Sequence, residues 1–432
     1  MNIGIATQTP PIRFRLTYRE LIDKYGQLDL PLNLSSIDQG DYYYSVGGVT
    51  RMVMMLSRAL GKKYWVSLGP GYPPQVTLGD ILVEFVDLPP DVLRSYTTFK
   101  EAIYNESHGL ERYRVKGRDY LGYLEFNMEV TKALLKYYDD VDVYFVNDFQ
   151  LALVGSMIGP SAPVVYWHHI PFVPKLLGDD MREFLLRSFQ GNDRVVFSTR
   201  RDLEGVAGTQ YAIRAKQIYP FIDPKDYRRP SRAEVERVRE KFGIPEGKRV
   251  VSVVARLDPI KSQDVAIRAI SRVEDAVLLI VGDGSFTSQA LATGKGGKWL
   301  NHLKQTAKEL KVEDRVIFTG YVTDEELSAI YELTDVNLLP SNIEGFGLTV
   351  CEGWVYGKPA VVSSGAGVSE LVIDGVNGYV FRAGNHEDLG EKIKSVLKKE
   401  DLTPSVNLRQ CSAEVGVERL KSVLEEAIQE YR

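Results

Sequence analysis

Short apolar runs rich in β-branched and aromatic residues recur along the chain, and amphipathic stretches separate them. Continuous apolar runs are typical of parallel strands buried on both faces. The pattern therefore predicts an α/β protein built from βα units. The expected strands are at 2–6, 64–68, 81–85, 143–146, 164–167, 195–198 and 217–219 in the first half, and at 250–254, 277–281, 316–319, 336–339, 360–363 and 379–381 in the second.

A proline-bearing linker divides the chain into two halves. In YPFIDP, residues 219–224, two prolines within five residues interrupt regular structure. We predict a Rossmann-like domain at 1–220, a second at 221–410 and a closing helical segment at 411–432. Two parallel-sheet domains of this kind should face each other across a cleft and bind ligand where the carboxyl ends of their strands meet.

Composition and charge narrow the class of partner. The 432 residues include 53 Lys and Arg against 58 Asp and Glu, and this net charge of −5 gives no bulk attraction to nucleic acid or anionic lipid. The two cysteines, Cys351 and Cys411, are too few for a disulfide framework, and the five histidines form no zinc-binding pattern. The start, MNIGIATQTPP, lacks signal-peptide features, and no run reaches the ~18 apolar residues of a membrane span. We expect a cytoplasmic protein without nucleic-acid, membrane or metal partners, whose oligomeric state, homo-oligomer included, stays open.

The segment LPSNIEGFGLTVCE, residues 339–352, follows a predicted strand and leads into a predicted helix. Gly345 and Gly347 allow backbone N–H groups to approach a ligand, and a helix N-terminus favours an anion such as phosphate. The carboxylates of Glu344 and Glu352 cannot bind that anion, but they can accept hydrogen bonds from sugar hydroxyls beside a diphosphate. The segment therefore predicts an anion site at a strand–loop–helix junction, with a solvated pair of acids as the alternative.

The segment VARLDPIK, residues 254–261, follows the first predicted strand of the second half. Arg256 offers a bidentate fork and Lys261 a point charge, which together suit a diphosphate leaving group. A surface ion pair between Arg256 and Asp258 is an equally open interpretation. The next strand ends in VGDG, where Gly282 could let backbone approach a nucleotide.

Taken together, ARLDPIK, VGDG, FTGYVTDEEL and EGFGLTVCE resemble, in this order and spacing, the nucleotide-sugar domain of family-4 retaining glycosyltransferases of the GT-B fold. The resemblance covers nearly the whole second half. It implies that Arg256 and Lys261 hold the donor diphosphate, Glu344 the donor-sugar hydroxyls and Glu352 the ribose. The rest of the implied diphosphate site is backbone, at Gly345, Phe346, Gly347 and Leu348.

In the first half, polar residues close two apolar strands and should lie at the same cleft, Asp148 in FVNDFQL and His169 in YWHHIPFVP. Gly47 and Gly48 precede a predicted helix and form a second turn where an anion could approach. These stretches resemble trehalose-phosphate synthases, which implies an acidic residue meeting the sugars, a histidine on the donor glucose and a glycine-rich loop beside the diphosphate. Two features depart from that pattern. Asn147 stands where a histidine is usual, and EGFGL is the family-4 form shared with trehalose synthases.

Some candidate residues have structural alternatives. A strand-end histidine such as His168 is often a satisfied structural residue. The run DDVD at 139–142 contains an acidic triplet of the kind that binds metal, but it precedes a strand, so we interpret it as an acidic turn. Cations for an acceptor phosphate are expected in loops, where solvated side chains are the alternative, at Arg13, Arg15, Lys295 and Lys298.

The combined expectation is a metal-independent, cofactor-free retaining glucosyltransferase that uses a nucleoside diphosphate glucose as donor and glucose 6-phosphate as acceptor, forming α,α-trehalose 6-phosphate. Free glucose, sucrose-type or glycogen-type acceptors, a nucleotide-sugar 2-epimerase and an inactive sugar-binding regulator stay open, as does the donor base, UDP, ADP or GDP. A dinucleotide oxidoreductase and a P-loop kinase are disfavoured, because no GxGxxG follows a strand and no lysine in the stretch 294–298 precedes Ser or Thr. The candidate catalytic residues are Asp148, His169, Arg256, Lys261 and Glu344.

Overall fold

The computed structural model of the protein describes residues 1–45, 47–284 and 295–431, apart from the side chain of Lys295. The chain forms two compact units. The first combines Met1–Pro220 with Gly416–Arg432, and the second is Phe221–Val415.

The first unit contains eleven strands and eight helices among its described residues. Its strands are β1 (Ile3–Thr7), β2 (Ile12–Phe14), β3 (Leu32–Asn33), β4 (Tyr42–Tyr44), β5 (Lys63–Leu68), β6 (Gln75–Leu78), β7 (Ile81–Val86), β8 (Val143–Asn147), β9 (Val164–His168), β10 (Arg194–Phe197) and β11 (Ala215–Gln217). Its helices are α1 (Tyr18–Tyr25), α2 (Gly48–Ser57), α3 (Pro90–Ser107), α4 (Gly117–Leu135), α5 (Val154–Met157), α6 (Asp179–Gln190), α7 (Arg200–Glu204) and, from the end of the chain, α14 (Ala413–Tyr431).

Nine of these strands form one sheet in the order β11-β10-β9-β8-β1-β5-β7-β6-β3. The seven strands from β11 to β7 run parallel, and β6 pairs antiparallel with β7. β1, β8 and β9 are buried at every position, as expected for central parallel strands covered on both faces. Aromatic side chains of α3 and α4, among them Tyr96, Phe99, Tyr123 and Phe126, belong to the core of this unit.

The second unit holds a six-stranded parallel sheet in the order β14-β13-β12-β15-β16-β17. The strands are β12 (Arg249–Val254), β13 (Ala276–Val281), β14 (Val316–Gly320), β15 (Val336–Leu339), β16 (Ala360–Ser363) and β17 (Gly378–Phe381). The helices are α8 (Arg232–Phe242), α9 (Gln263–Ile270), α10 (Lys295–Glu309), α11 (Asp324–Leu333), α12 (Leu348–Val355) and α13 (His386–Lys398). Apolar clusters on both faces, one around Val251 and Leu278 and the other around Val277 and Leu279, bury this sheet.

Local sequence explains where several helices of this unit begin. α8 and α11 each start with a capping box, in which Ser231 pairs with Glu234 and Thr323 with Glu326. In each box the hydroxyl of the cap residue accepts from the backbone N–H of the glutamate. The glutamate carboxylate in turn accepts from the backbone N–H of the cap residue. The TDEE of FTGYVTDEEL is therefore a helix start.

The α/β class is confirmed, and each of the thirteen predicted strands overlaps an observed one. The structure adds β2, β3, β4 and β6, which are short or antiparallel and lack the long apolar runs of the others. One expectation is wrong. Residues 295–298 are not a loop, since they begin helix α10.

The cysteines, sparse as they are, pair with each other. A disulfide joins Cys351 in α12 to Cys411, the last residue of the 3₁₀ segment Pro404–Cys411. Both side chains are fully buried. The absence of a multi-disulfide framework, as expected, did not exclude this single link, which ties the end of the second unit to α12.

The longest described helices, α3, α4 and α14, have 18, 19 and 19 residues and carry charges along their length. In the described part of the chain, no helix is both long and apolar enough to cross a lipid bilayer.

Candidate active site

Three motif-bearing loops of the second unit meet at one edge of its sheet. They follow β12, β13 and β15, which are neighbours in the order β13-β12-β15 and run parallel, so their carboxyl ends lie side by side. The backbone N–H of Leu257 donates to the carbonyl of Asp283 at 3.0 Å, and that of Asn342 donates to Ser262 Oγ at 3.3 Å. ARLDPIK therefore lies between VGDG and SNIEGFG.

Two glycines at this edge are required by their surroundings. Gly282 has φ 130°, and a Cβ there would lie 2.3 Å from the carbonyl oxygen of Ala255. Gly347 has φ 111°, and a Cβ would lie 2.3 Å from Leu339 Cδ2. Any other residue would be strained at both places, so these glycines let the loops pack against the strand ends.

The residues from Gly345 to Leu348 lead into α12. Gly347 is the N-cap residue and supplies no side-chain hydrogen bond to the first helical turn. The side chain of Phe346 is buried, and its backbone carbonyl accepts a hydrogen bond from the backbone N–H of Val368 at 2.9 Å. The first amides of α12 thus begin at the sheet edge without a side-chain cap, an arrangement suited to an anion.

Lys261 and Glu344 form an ion pair that sequence reasoning did not find. Their side chains are only 15% and 16% exposed, and Ser341 Oγ donates to the same carboxylate oxygen, Oε2, at 3.2 Å. Arg256 Nη2 lies 3.5 Å from Asp258 Oδ2, so the ion pair left open by the sequence is present. These loops therefore contain two separate ion pairs, Lys261 with Glu344 and Arg256 with Asp258.

Glu352 is held by two tyrosines. Tyr331 Oη donates to its Oε2 at 2.8 Å and Tyr227 Oη to its Oε1 at 3.1 Å. Burial, together with the neighbouring carboxylate, raises the pKa of Tyr331 well above its ordinary value, so this hydroxyl stays a donor. Neither tyrosine was predicted from the sequence. Tyr227 lies 125 residues and Tyr331 lies 21 residues before Glu352, and neither belongs to a motif.

In the first unit, Asp148 and His169 follow the adjacent parallel strands β8 and β9. Asp148 has φ 75° and ψ 166°, a conformation that is strained for a residue with a Cβ. Its Oδ1 accepts from the backbone N–H groups of Phe149 at 3.0 Å and His169 at 3.1 Å. Burial raises the pKa of Asp148 from 3.8 to about 6, although these hydrogen bonds act in the opposite direction.

His169 is clamped by two neighbours. Its ring stacks on Trp167 with centroids 4.9 Å apart, and its Nε2 lies 3.2 Å from Asn147 Oδ1. Burial lowers the pKa of His169 to about 3, with a smaller contribution from His168. His168 is fully buried and its Nδ1 lies 3.0 Å from Tyr166 Oη, which suits a structural residue.

The other predicted residues of the first unit are less constrained. Gly47 has an ordinary φ of −64° and precedes α2, which begins at Gly48. Arg13 lies on β2 with its Nε 3.4 Å from Ser45 Oγ, and Arg15 follows it over the ring of Tyr43 at 5.1 Å. Val46 lies outside the described residues.

The two predicted lysines lie on helix α10 of the second unit instead of in a loop. Lys298 is exposed, and the side chain of Lys295 lies outside the described part of the structure. Their assignment to a glycine-rich loop is wrong, because the helix already begins at Lys295.

The acidic turn at 139–142 is at the other end of β8 from Asp148. Asp140 accepts from Tyr64 Oη at 3.0 Å, and Asp142 accepts from the backbone N–H of Asn2 at 2.8 Å. The described residues contain no group of three His, Cys, Asp or Glu side chains placed to hold a metal ion.

Residues 234–410 match the family model described as glycosyl transferases group 1. The matched residues all lie within the second unit, Phe221–Val415. The D-inositol 3-phosphate glycosyltransferase of Mycolicibacterium smegmatis is 27% identical over 246 residues, 56% of this chain and 54% of that protein. The mannosylfructose-phosphate synthase of Agrobacterium fabrum is 32% identical over 222 residues, 50% of this chain and 47% of that protein. The chain thus spans about half the length of these curated relatives.

The likeness to solved structures extends over both units. The crystal structure of a UDP-forming α,α-trehalose-phosphate synthase from Burkholderia xenovorans matches with a TM-score of 0.75 and 16% identity, over 99% of each chain. This likeness confirms the GT-B fold class, and the match of residues 234–410 to the glycosyl transferase model agrees with the resemblance found in the second half of the sequence.

Asp148→Asn should stabilise the protein at neutral pH. The pKa of Asp148 is about 6 in the folded state, against an ordinary value of 3.8. The free energy of unfolding of the wild type therefore falls as pH rises from about 4 to 6, because folding must then bury an ionised carboxylate or keep it protonated. Asparagine keeps the acceptor for both backbone N–H groups and tolerates positive φ. We expect the variant to gain about 2–3 kcal/mol over wild type at pH 8 and almost nothing at pH 4, measured by urea unfolding.

Asp193→Asn is the control, since Asp193 also accepts a backbone N–H, from Val164 at 2.7 Å, near the other end of β9. It should show no such gain at pH 8. An Asp148→Asn difference that is the same at both pH values would contradict the assignment.

Glu352→Ala should weaken binding of a free nucleoside diphosphate, whereas Glu344→Ala should not. Glu352 is oriented by two hydroxyls and can accept from ribose, and a hydrogen bond to a charged group contributes about 1.5–3 kcal/mol. Removing Glu344 takes away a carboxylate beside Lys261 but no donor that a diphosphate could use, and it leaves Glu352 and its two tyrosines in place. Titration calorimetry with UDP, ADP and GDP measures the affinity of each variant for the nucleoside diphosphate. Equal losses of affinity in Glu352→Ala and Glu344→Ala would refute the different roles assigned to the two carboxylates.

Proposed function

We propose that the chain is a retaining glucosyltransferase that moves glucose from a nucleoside diphosphate glucose to glucose 6-phosphate and forms α,α-trehalose 6-phosphate. The observation that carries the proposal is the group of side chains at one edge of the second unit's sheet. There Lys261 contacts Glu344 in the loop that leads into the uncapped start of α12, and Arg256 lies beside Asp258 in the neighbouring loop. Glu352, within α12, is held by the hydroxyls of Tyr331 and Tyr227.

This arrangement suits departure of a diphosphate. Two cations and a helix N-terminus stabilise negative charge as it develops on the leaving group. The Arg256 fork can bind two phosphate oxygens, while Lys261 adds a point charge. Because Lys261 already contacts Glu344, one lysine can link the phosphate to the carboxylate that would accept donor-sugar hydroxyls.

We infer a front-face transfer without a covalent enzyme intermediate. The bond between glucose C1 and the diphosphate oxygen breaks, and the acceptor hydroxyl oxygen bonds to C1 from the same face. The hydroxyl proton passes to the departing diphosphate oxygen, so no protein base is consumed. Asp148 and His169 then orient sugar hydroxyls, and the chain needs neither a metal ion nor a cofactor.

The phosphorylated acceptor is supported by two kinds of finding. Both curated relatives carry a phosphate ester in the name of their substrate or product, and the structural relative is named as a trehalose-phosphate synthase that forms UDP. In this chain, Arg13 and Arg15 lie on and next to β2 and could supply donors for a phosphate dianion. UDP-glucose is accordingly the first donor to test.

Three alternatives differ in what they accept. A trehalose synthase would use free glucose, another family-4 transferase would use a different sugar or inositol phosphate, and a regulator would bind the sugar nucleotide without turnover. The presence of Arg256, Lys261, Glu344 and Glu352 together favours an enzyme over the regulator, and measured turnover distinguishes the two.

Arg256→Ala or Lys261→Ala should reduce turnover about 10²–10³-fold, because each removes a charge that acts on the developing diphosphate. Arg249→Ala and Lys248→Ala are matched controls. They remove cations, ion-paired with Asp335 and Asp275, at the amino end of the same strand β12. Initial rates with UDP-glucose measure turnover, and circular dichroism checks that each variant is folded. Near-normal rates in both Arg256→Ala and Lys261→Ala would refute the proposal.

The acceptor is tested by comparing kcat/KM for glucose 6-phosphate, glucose and inositol phosphate with UDP-, ADP- and GDP-glucose. We expect glucose 6-phosphate to be preferred, and Arg13→Ala/Arg15→Ala to remove that preference without weakening donor binding. The double variant Arg58→Ala/Lys62→Ala, which removes two exposed cations elsewhere on the unit, should keep it. A preference for free glucose would make the protein a trehalose synthase.

A further inference from the structure

A line of hydrogen bonds runs from β1 through Asn147 to His169. Asn147, at the end of β8, is 1% exposed, and its Nδ2 lies 3.5 Å from the carbonyl oxygen of Ala6. Its Oδ1 lies 3.2 Å from His169 Nε2. The side-chain amide therefore bridges the backbone of one central strand and the imidazole that follows another.

The direction of this line assigns the tautomer of His169. A carbonyl oxygen only accepts, so the atom of Asn147 that faces Ala6 is the NH₂ group. The amide oxygen then faces His169 Nε2, and an oxygen acceptor requires a proton on that nitrogen. In a neutral imidazole the other nitrogen, Nδ1, is left with a lone pair. Nδ1 has no hydrogen-bond partner among the residues that the structure describes.

The ring is also fixed in orientation. It stacks on Trp167 at an interplanar angle of 19°, and the indole Nε1 of Trp167 donates to Ser198 Oγ at 3.0 Å. The backbone N–H of His169 donates to Asp148 Oδ1 at 3.1 Å. The stacking and the bond to Asn147 thus hold the ring, and the backbone bond holds its residue, at the carboxyl end of the sheet, where His169 as a whole is only partly buried.

We propose that Asn147 is a positioning residue that keeps His169 as the Nε2-protonated tautomer, so that Nδ1 accepts a hydrogen bond from a hydroxyl of the bound sugar. The use of this nitrogen for a sugar rests on the function proposed above, whereas the tautomer assignment does not. A histidine that accepts recognises a hydroxyl hydrogen, and protonation of Nδ1 would turn the acceptor into a repelling donor.

The electrostatic surroundings favour the neutral ring. The titratable groups beside it are Asp148, following β8, and His168, at the end of β9, while β1 contributes the backbone of Ala6. Burial lowers the pKa of both histidines to about 3, so neither ring carries a charge near pH 7. A carboxylate in place of the Asn147 amide would oppose this and favour the imidazolium.

The tautomer is tested directly on the full chain labelled with ¹⁵N-histidine, by two-bond nitrogen–proton correlation spectra at pH 7. His169→Gln identifies the His169 signals by their loss. We expect a protonated Nε2 and an unprotonated Nδ1 in the wild type, and mixed tautomers in Asn147→Ala. An Nδ1-protonated ring in the wild type, or an unchanged ring in Asn147→Ala, would overturn the proposal whether or not the protein transfers glucose.

The consequence for turnover is tested with Asn147→Asp. The new carboxylate still accepts from Nε2 but raises the pKa of His169 above about 3, so the fall of kcat/KM at acidic pH should begin about 1–3 pH units higher in Asn147→Asp than in wild type. Asn127→Asp is the control, because it buries a carboxylate that still accepts from the backbone N–H of Leu153 and contacts no histidine ring in the described part of the chain. It should follow the wild-type profile even if it is less stable. Parallel profiles for wild type and Asn147→Asp would overturn the role of Nδ1. Absence of any transferase activity in the wild type would instead refute the proposed function, and the spectra would still decide the tautomer.

Discussion

The parallel alignment of the central strands is the constraint on which the candidate site residues of each unit depend. A parallel strand sends its chain out at the carboxyl edge, so loops that follow neighbouring strands meet there whatever their separation in sequence. In the second unit this gathers the loops after β12, β13 and β15, and in the first it sets Asp148 beside His169. The strands themselves supply no chemistry. They supply rigid, buried positions from which short loops present it.

At the second unit's edge, charge is balanced before any substrate arrives. Lys261 contacts Glu344, Arg256 lies near Asp258, and Glu352 is held by the hydroxyls of Tyr331 and Tyr227. Partly buried ions are costly without partners, so these contacts keep the site folded. The same contacts fix the directions of the carboxylates, which a nucleotide sugar would otherwise have to order on binding.

The candidate residues of the first unit are not charge-balanced in this way, and one of them has a strained backbone. Asp148 combines a positive φ with a largely buried carboxyl whose pKa is raised to about 6, and His169 is a largely buried ring whose pKa is lowered to about 3. The Asp148 carboxyl opposes folding near neutral pH, where it must be buried as a charge or stay protonated, whereas His169 opposes folding only at acidic pH, where the unfolded chain would bind a proton that the folded ring does not. Neither feature is needed to form the sheet. Groups whose environments oppose their stable charge states are typical of functional sites.

The sequence by itself determined the α/β class, thirteen strands and the motif loops, because buried parallel strands are continuous apolar runs and glycines with positive φ have few substitutes. It did not predict β2, β3, β4 and β6, whose runs are too short to have a period, or the helical start at Lys295. Only the tertiary structure decided the partners of the predicted side chains. Glu344 with Lys261, Glu352 with Tyr227, and His169 with Asn147 are separated by 83, 125 and 22 residues. Such pairs follow from which strands are neighbours in a sheet, and strand order leaves no local pattern in the chain.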